Sequence, residues 1–349
     1  DFISGIACNV LGHADQGFVD FITKQAGNLI HVSNLFWNEN GVKLAEELSQ
    51  VSNLDKTFFA NSGAEANEAA IKLARKWGTE NKGPDAFEII SMTQSFHGRT
   101  LASLTATGQE DMHTAFKPLP VGFKYVDFND VDALKKAVNK NTCAILLEVI
   151  QGEGGVNTIT PEFVSAINTL QKQEDVLVIV DEIQTGIGRT GTMFAFQQTT
   201  LNPDIITLAK GLGGGLPIGA VVAKDQVADH FKPGDHGTTF GGNPLATAAG
   251  NYILSAIEDQ QLLKNVKVIS AYIKDQLQSW QSPLVEEIRG QGFLIGLKVT
   301  KPVAQVVAAA ADQGLLVTSA KDNVIRLLPP LNVTKDVVDQ ALAKLKTSL

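Results

Sequence analysis

Residues 176–186 read VLVIVDEIQTG, and residues 205–215 read IITLAKGLGGG. Each stretch is a short aliphatic run followed by one charged residue, Asp181 in the first and Lys210 in the second. Continuous apolar runs of this length predict strands that are buried on both faces of a parallel sheet. Because ligands bind at the carboxyl ends of strands in such sheets, we expect both charged side chains in one crevice.

The pattern around these strands predicts the fold class. Short β-rich runs alternate with amphipathic stretches over much of the chain: 57–59, 64–77, 143–149, 161–173, 176–180 and 205–209. Thr160 as N-cap and Pro161 at the first helical position predict the start of one helix, which should bridge two parallel strands. Strands interleaved with helices indicate an α/β fold whose sheet is mostly parallel and covered on both faces.

The pattern of apolar and polar residues changes after about residue 255, which predicts a second structural unit. A long polar helix is expected at 257–280, followed by two short stretches at 285–290 and 292–299. A second helix is expected at 302–313, and strands at 315–318 and 324–328. We predict a large domain at 39–255 and a small α+β domain built from 1–38 and 256–349. Without repeats or a low-complexity linker, the two units should pack closely.

The composition excludes several classes of partner. The net charge of -8 and pI of about 5.3 argue against nucleic acid and anionic membrane. Cys8 and Cys143 are far apart and lack metal-ligand spacing, which favours a reducing compartment and no bound metal. No apolar run approaches the roughly 20 residues of a membrane span, so we expect a soluble, cytoplasmic protein. The first residues show neither Met nor a signal pattern, and we expect a fragment.

Asp181 and Lys210 together predict a pyridoxal 5'-phosphate (PLP) site. A lysine can hold the cofactor aldehyde as a Schiff base, and an aspartate can keep the pyridine nitrogen protonated so that the ring withdraws electrons. Taken alone, Asp181 is explained more simply as a helix cap or an ion-pair partner, and Lys210 as a solvated surface lysine. The interpretation of this pair as a PLP site therefore depends on the motifs that accompany it.

Two further stretches offer donors for a phosphate. Residues 61–66 follow a strand and open a helix, so that free N–H groups and the Ser62 hydroxyl can bind an anion. Plain capping by Asn61 or Ser62 is the alternative. Residues 238–244 combine hydroxyl groups with a glycine-rich turn before another helix, although the same pattern fits a simple tight turn.

The remaining candidates are groups that contact rings and carboxylates. Phe96 can stack on a pyridine ring, and the planar fork of Arg99 can pair with a carboxylate; the alternatives are a core phenylalanine and a surface arginine. Arg326 lies in the apolar run 324–328 and needs a partner there. Glu153 is the expected resting partner, released when a substrate carboxylate arrives.

At these residues the chain resembles the class III (ornithine-type, fold type I) aminotransferases. The segments that match in order and approximate spacing are 61–72, 96–100, 151–156, 181–191, 210–215 and 238–244. The resemblance covers essentially the whole chain and implies a PLP-dependent transferase of fold type I. It makes Lys210 the Schiff-base lysine and proton shuttle, and Asp181 the partner of the pyridinium nitrogen.

The resemblance also implies how the rest of the cofactor is held. Gln184 would donate a hydrogen bond to the ring hydroxyl, and Phe96 would stack on the ring with His97 beside it. Ser62, Gly63 and Ala64 would hold the phosphate. In this family, Thr239 reaches the phosphate in the neighbouring subunit, which implies a homodimer with shared active sites.

Stretches 1–7, 106–110 and 116–123 are similar to the subgroup that acts on N2-acetylornithine. The implied reaction moves the δ-amino group of N2-acetylornithine to 2-oxoglutarate, giving N-acetylglutamate 5-semialdehyde and glutamate, a step of arginine biosynthesis. Ile6 stands where members specific for ornithine usually carry a tyrosine that holds unmodified ornithine.

The implied substrate contacts involve two arginines and one aromatic residue. Arg326 would hold the γ side of the glutamate skeleton and Arg99 its α-carboxylate, with Glu153 masking Arg326 in the first half of the reaction. Trp37 stands at the edge of the substrate pocket, where the subgroup commonly has tyrosine. Val149 replaces a usual proline, a change expected to alter loop stiffness more than chemistry.

Four alternatives stay open at this point. Another class III enzyme acting on ornithine, 4-aminobutyrate or N-succinyl-diaminopimelate would share every catalytic residue. A PLP-dependent isomerase would need no external oxoacid. A dinucleotide-binding dehydrogenase would carry a Gly-x-Gly-x-x-Gly turn after its first strand, which is missing here. A non-catalytic binding protein would not need Lys210 and Asp181.

Overall fold

The structure, a computed structural model, describes residues 1–349. It contains thirteen helical segments: α1 (Ser4–Ala7), α2 (Gln16–Ala26), α3 (Glu39–Ser52), α4 (Gly63–Lys82), α5 (Leu101–Ala106), α6 (Glu110–His113), α7 (Val131–Ala137), α8 (Pro161–Gln173), α9 (Asp225–Ala228), α10 (Pro244–Asp259), α11 (Leu262–Ser279), α12 (Val303–Asp312) and α13 (Lys335–Ser348). Short 3-10 turns lie at Thr114–Phe116, Ala195–Gln198 and Lys210–Gly213. None of the helices combines the length and the apolar character that crossing a membrane requires.

Thirteen strands are present: β1 (Lys56–Ala60), β2 (Glu88–Met92), β3 (Phe123–Val126), β4 (Thr142–Leu147), β5 (Ile150–Gln151), β6 (Asn157–Thr158), β7 (Leu177–Asp181), β8 (Ile205–Leu208), β9 (Gly219–Ala223), β10 (Val285–Gln291), β11 (Leu294–Val299), β12 (Thr318–Ala320) and β13 (Val324–Leu327). Seven of them form one sheet in the order β1-β9-β8-β7-β4-β2-β3. β9 alone runs in the direction opposite to the other six strands. The predicted α/β fold with a mostly parallel sheet is confirmed.

The central strands are buried on both faces, as their continuous apolar runs predict. Along β4, Ile145 and Leu147 enter the larger hydrophobic core, whereas Ala144 and Leu146 enter a smaller core beneath α4. This alternation follows from the two-residue period of a strand. The helix α8 connects the parallel neighbours β4 and β7, and Thr160 Oγ accepts a hydrogen bond from Phe163 N–H at 3.3 Å. The predicted N-cap and crossover are therefore confirmed.

A second sheet of four strands has the order β10-β11-β13-β12. The N-terminal segment binds this part of the chain, because Phe2 N–H donates to Leu316 O at 2.8 Å and Leu328 N–H donates to Phe2 O at 2.7 Å. Such contacts support a small domain that includes both termini. However, α2 packs on α10, with the Phe18 and Tyr252 ring centroids 5.6 Å apart. The boundaries at 38 and 255 stay a prediction.

Two predicted elements differ from the structure. The single helix expected at 257–280 is wrong: α10 ends at Asp259 and α11 begins at Leu262, because Gln261 has a φ of 52° that breaks the helix between them. The strand expected at 315–318 begins only at Thr318. Leu315 N–H instead closes the end of α12 by donating to Ala310 O at 2.8 Å.

Candidate active site

A cavity of about 400 Å³ lies where β7 and β8 end. Ten of the residues singled out from the sequence line it: Ser62, Gly63, Ala64, Phe96, His97, Arg99, Glu153, Asp181, Gln184 and Lys210. They come from separate loops and strand ends that the parallel sheet brings to one edge. The expectation that Asp181 and Lys210 share one crevice is therefore confirmed.

Lys210 lies just beyond the end of β8 in a strained conformation. Its φ is 44°, in the left-handed region that residues with a side chain rarely occupy. Burial lowers the pKa of Lys210, and the positive charge of Arg326 lowers it further, whereas the carboxylates of Glu153 and Asp181 act in the opposite direction. A lowered pKa increases the fraction of neutral amine, which is the form that attacks an aldehyde.

Asp181 ends β7 as a buried carboxylate with three donors. Its Oδ2 accepts hydrogen bonds from Asn67 Nδ2 at 2.8 Å and from His97 Nδ1 at 2.7 Å, and its Oδ1 accepts from Ile183 N–H at 3.0 Å. Because an ionised carboxylate only accepts, Nδ1 of His97 carries the hydrogen in this contact. Nε2 of His97 is buried and has no protein partner. The carboxylate is thus fixed in position beside the cavity.

The start of α4 forms an anion cradle. Ser62 Oγ accepts from Glu65 N–H at 3.2 Å, and Glu65 Oε2 accepts from Asn61 N–H at 2.7 Å, a reciprocal capping arrangement. The capping that was the alternative interpretation is therefore present. It leaves the N–H groups of Gly63 and Ala64 without intrahelical acceptors. A Cβ at Gly63 would lie 2.8 Å from Ile183 Cδ1, so a larger residue here would have to displace the Ile183 side chain in the loop after β7.

Arg326 is buried in β13 behind the cavity. Its Nη1 donates to Glu153 Oε1 at 2.7 Å, to Gly152 O at 2.6 Å and to Gln184 Oε1 at 3.0 Å. The ion pair between Arg326 and Glu153 is therefore present in the structure. Since the amide oxygen of Gln184 is taken by Arg326, its NH2 group remains as the donor. Nε of Arg326 is buried without a partner.

Phe96 and Arg99 form the mouth of the cavity. Phe96 is half-buried, and the guanidinium carbon of Arg99 lies 5.6 Å from the centroid of its ring. Arg99 is exposed and makes no ion pair, so its charge is free for an incoming anion. The cation held over the aromatic face keeps the arginine close to the entrance.

Trp37 and Thr239 do not line the cavity of their own chain. Trp37 is 93% exposed, and Thr239 is exposed as well. Their segments are joined, because Asn34 Nδ2 donates to Thr238 O at 3.1 Å and Asn38 Nδ2 donates to Gly242 O at 3.1 Å. Both residues therefore belong to one outward-facing surface.

Among the residues in or next to the cavity, three with an amide, thiol or carboxyl side chain were not singled out from the sequence as site residues. Asn67 holds Asp181, and a polar residue amid the buried face of α4 was a signal that the sequence offered. Cys8 lines the cavity beside the left-handed turn α1. Glu148 is a third, and burial raises its pKa to about 7. Neither Cys8 nor Glu148 carries a local pattern that distinguishes it from an ordinary buried residue.

The donor set fits PLP. An amine, a buried carboxylate and two free helix N–H groups beside a serine match its aldehyde, pyridine nitrogen and phosphate in chemical type. The cavity volume lies within the range of small-molecule sites, about 300–1,000 Å³. Lys210, Asp181, Ser62, Gly63 and Ala64 are the residues that would hold the cofactor.

Comparisons with known proteins show the family of the chain. The sequence profile of the family described as "Aminotransferase class-III" matches residues 1–349. A protein of Caldanaerobacter subterraneus subsp. tengcongensis named acetylornithine aminotransferase is 51% identical over 98% of this chain and 88% of its own length.

Two solved structures share the fold over 100% of this chain. The ornithine aminotransferase of Toxoplasma gondii, whose active site holds PLP at partial occupancy, has a TM-score of 0.95 at 34% identity and is covered over 85%. The N-acetylornithine aminotransferase of Stenotrophomonas maltophilia has a TM-score of 0.86 at 38% identity and is covered over 89%. With lysine, aspartate and anion cradle in one cavity, the chain belongs to the class III aminotransferases, which depend on PLP.

Proposed function

We propose that the chain transfers the δ-amino group of N2-acetylornithine to 2-oxoglutarate, giving N-acetylglutamate 5-semialdehyde and glutamate. The main evidence for a reaction with two substrates is the ion pair of Arg326, which is buried beside Lys210 and lies 2.7 Å from Glu153. The identity of 51% to a protein named acetylornithine aminotransferase supports the amino donor. Ile6 in place of a tyrosine further favours the acetylated over the free amino acid.

The residues of the cavity have separate roles in the proposed reaction. Bound there, PLP supplies an aldehyde for the amine and a ring that withdraws electrons from the substrate carbon. Asp181 would accept a hydrogen bond from the pyridine nitrogen and keep that nitrogen protonated. Nζ of Lys210 would accept the proton from the carbon that bears the amine and deliver it to the cofactor, and the reverse transfer would complete the second half.

The ion pair between Arg326 and Glu153 explains how one site accepts two different substrates. The δ carbon of N2-acetylornithine bears no carboxylate, so Glu153 can stay on Arg326 while the donor reacts. The reacting carbon of 2-oxoglutarate bears its α-carboxylate directly, and this group would displace Glu153.

The structure favours an assignment of the two arginines to the two carboxylates of 2-oxoglutarate that is the reverse of the sequence-based expectation. Arg326 is buried and close enough to Lys210 to lower its pKa, whereas Arg99 is exposed at the mouth. We therefore propose that Arg326 binds the α-carboxylate of 2-oxoglutarate and Arg99 the distal one.

Replacing Arg326 with lysine should affect the two half-reactions unequally. A lysine cannot reproduce the planar fork of hydrogen bonds, so we expect kcat/KM for 2-oxoglutarate to fall by about 30- to 300-fold. The half-reaction with N2-acetylornithine should change by less than about threefold, because no substrate carboxylate needs Arg326 there. Stopped-flow measurement of each half-reaction gives both values.

Arg289→Lys is the matched control. Arg289 lies in the same sheet and is ion-paired with Glu287 and Asp322, away from the cavity. It should leave both half-reactions unchanged. If Arg326→Lys slowed both half-reactions equally, the proposal that Arg326 binds only the carboxylate of 2-oxoglutarate would be refuted.

A second copy of the chain is the proposed occupant of the surface around Trp37 and Thr239. Leu35, Phe36, Trp37 and Phe240 are between 60% and 93% exposed there, an apolar surface that isolated chains rarely present. A homodimer would cover it and bring Thr239 and Trp37 to the partner's cavity.

Trp37→Asp should convert a dimer into monomers and weaken PLP binding, as measured by analytical ultracentrifugation and cofactor titration. The matched control is Val268→Asp, which places the same charge at an exposed apolar position on α11 and should stay dimeric. A wild-type protein that is monomeric and fully active would contradict the shared site.

Steady-state turnover tests the reaction class. Catalytic consumption of N2-acetylornithine should require 2-oxoglutarate, which receives the amino group and is released as glutamate. A PLP-dependent isomerase would instead convert its substrate without any oxoacid. Turnover of the donor in the absence of 2-oxoglutarate would therefore refute the transaminase assignment.

We also propose a cytoplasmic location. Cys8 and Cys143 are free thiols, and Cys143 is buried in β4 where no second cysteine can reach it. Thiols that persist without a disulfide framework are typical of reducing compartments.

A further inference from the structure

Glu148 is a buried carboxylate at the cavity that the proposed chemistry does not use. It follows the end of β4 and is 5% exposed. Its Oε2 accepts a hydrogen bond from Phe96 N–H at 3.1 Å, and its Oε1 accepts from Gly152 N–H at 3.2 Å. The two N–H groups lie in different loops, so this one side chain joins them.

Each of these loops carries a group that the site depends on. The first loop presents the ring of Phe96 to the cavity. In the second loop, Gly152 O accepts from Arg326 Nη1 at 2.6 Å. A Cβ at Gly152 would lie 2.2 Å from Gln184 Oε1, so a side chain at this position would have to displace the amide group of Gln184. Glu148 thus stands between the ring-contacting phenylalanine and the buried arginine.

We propose that Glu148 is a positioning residue that fixes the loop of Phe96 and the loop of Gly152 relative to each other, and thereby sets the position of Arg326. When a substrate carboxylate displaces Glu153, Arg326 would keep its hydrogen bond to the carbonyl oxygen of Gly152, so this bond would hold the arginine in place. This inference rests on the proposed function, which gives Phe96 and Arg326 their roles.

The residue type fits this role. Both contacts are backbone N–H donors, and a carboxylate accepts on both of its oxygens. A glutamine of the same shape accepts on one atom only and would direct its own N–H toward the other donor. One of the two loops would then lose its anchor.

The chain offers a matched control in Glu182. It is equally buried, and burial raises its pKa to about 7, as it does for Glu148. Its carboxylate accepts from Thr185 Oγ at 2.5 Å, from Ala195 N–H at 3.0 Å and from Phe196 N–H at 2.8 Å. These partners lie outside the cavity.

The test compares Glu148→Gln with Glu182→Gln in the PLP-loaded protein. In Glu148→Gln, amide hydrogen exchange should rise about tenfold in segment 94–98, in segment 150–154 or in both. KM for 2-oxoglutarate should rise about tenfold, while KM for the amino donor rises less than about threefold. The visible circular dichroism of the bound cofactor should also change, because the ring contact moves.

Glu182→Gln should speed exchange only around 194–197, with both KM values and the circular dichroism unchanged. Wild-type exchange in both loops of Glu148→Gln, together with an unchanged KM for 2-oxoglutarate, would overturn the proposal. If that variant does not fold, Glu148→Asp keeps the charge on a shorter side chain. It should loosen at least one loop, and wild-type exchange in both would again overturn the proposal.

The exchange measurement separates this inference from the proposed function. A wild-type protein that makes no glutamate from 2-oxoglutarate would refute the function. The comparison of amide exchange between the two variants would still decide whether Glu148 holds the two loops.

Discussion

Lys210→Ala should reduce turnover by at least about 10⁴-fold while the protein stays folded. Lys210 is the only lysine that lines the cavity, so no other amine can bind the aldehyde or move the proton. The fold should tolerate the change because burial already disfavours the charged form of this side chain. Glutamate formation measures the loss of turnover. Mass spectrometry after borohydride reduction shows whether PLP is attached at position 210.

Lys224→Ala is the control for this variant. Lys224 follows β9 at the opposite edge of the sheet, where Ala223 pairs with Ile205 at the start of β8, and its Nζ donates to Asp204 Oδ1 at 2.8 Å. We expect it to lower thermal stability and to leave turnover within about threefold of wild type, since it contacts no part of the cavity. A Lys210→Ala protein that kept a tenth of wild-type turnover would show that this lysine is not the catalytic amine.

Asp181→Asn should lower turnover by about 10³-fold, because it removes a preorganised charge from a water-poor site without changing the shape of the side chain. The new amide group would also face donors that now bind the carboxylate, those of Asn67, His97 and Ile183. We expect PLP still to bind, with weaker affinity, because the cradle at Ser62 is unaffected. Turnover and cofactor titration measure the two effects separately.

Asp204→Asn tests whether that loss is specific. Asp204 is 5% exposed, against 4% for Asp181, and it too has three donors: Lys224 Nζ, Val178 N–H and Gln171 Nε2. Asp204 lies at the opposite end of β8 from the cavity. Its variant should lose stability and keep both PLP affinity and kcat. Equal losses of turnover in the two variants would mean that Asp181 acts through folding alone.

The parts of the site that the sequence predicts follow from local rules. An apolar run that ends in a charged residue predicts both a buried strand and the edge at which its last side chain lies, which is why Asp181 and Lys210 were placed together. The ion pair of Arg326 follows from the cost of burying an unpaired charge in an apolar strand.

Other features depend on tertiary contacts. Leu315 and Val317 alternate like strand residues, yet the backbone there closes α12 and binds Phe2. The apolar periodicity continues across Gln261, where the chain turns. In α1, Ser4, Ile6 and Ala7 all have positive φ, a conformation that costs roughly 1–2 kcal/mol for each such residue. Asp1 Oδ1 holds this turn by accepting from Ile3 N–H at 2.7 Å and Ser4 N–H at 3.0 Å.

Trp37 and Glu148 are two further residues whose contacts do not follow from the local sequence. Trp37 is exposed in one chain, and its proposed contact with a substrate pocket would require a second copy. Glu148 binds Phe96, which lies 52 positions before it in the sequence, and Gly152, which lies 4 positions after it. No local pattern reveals a side chain whose importance lies in joining two loops.

The most direct test of the account is a half-reaction titration of the purified, PLP-loaded protein, following the absorbance of the bound cofactor. N2-acetylornithine, ornithine and 4-aminobutyrate are added in parallel, and 2-oxoglutarate is then added to each. We expect N2-acetylornithine to change the spectrum at the lowest concentration and 2-oxoglutarate to restore it. A spectrum that responds preferentially to ornithine or 4-aminobutyrate, or that 2-oxoglutarate fails to restore, would contradict the proposed reaction.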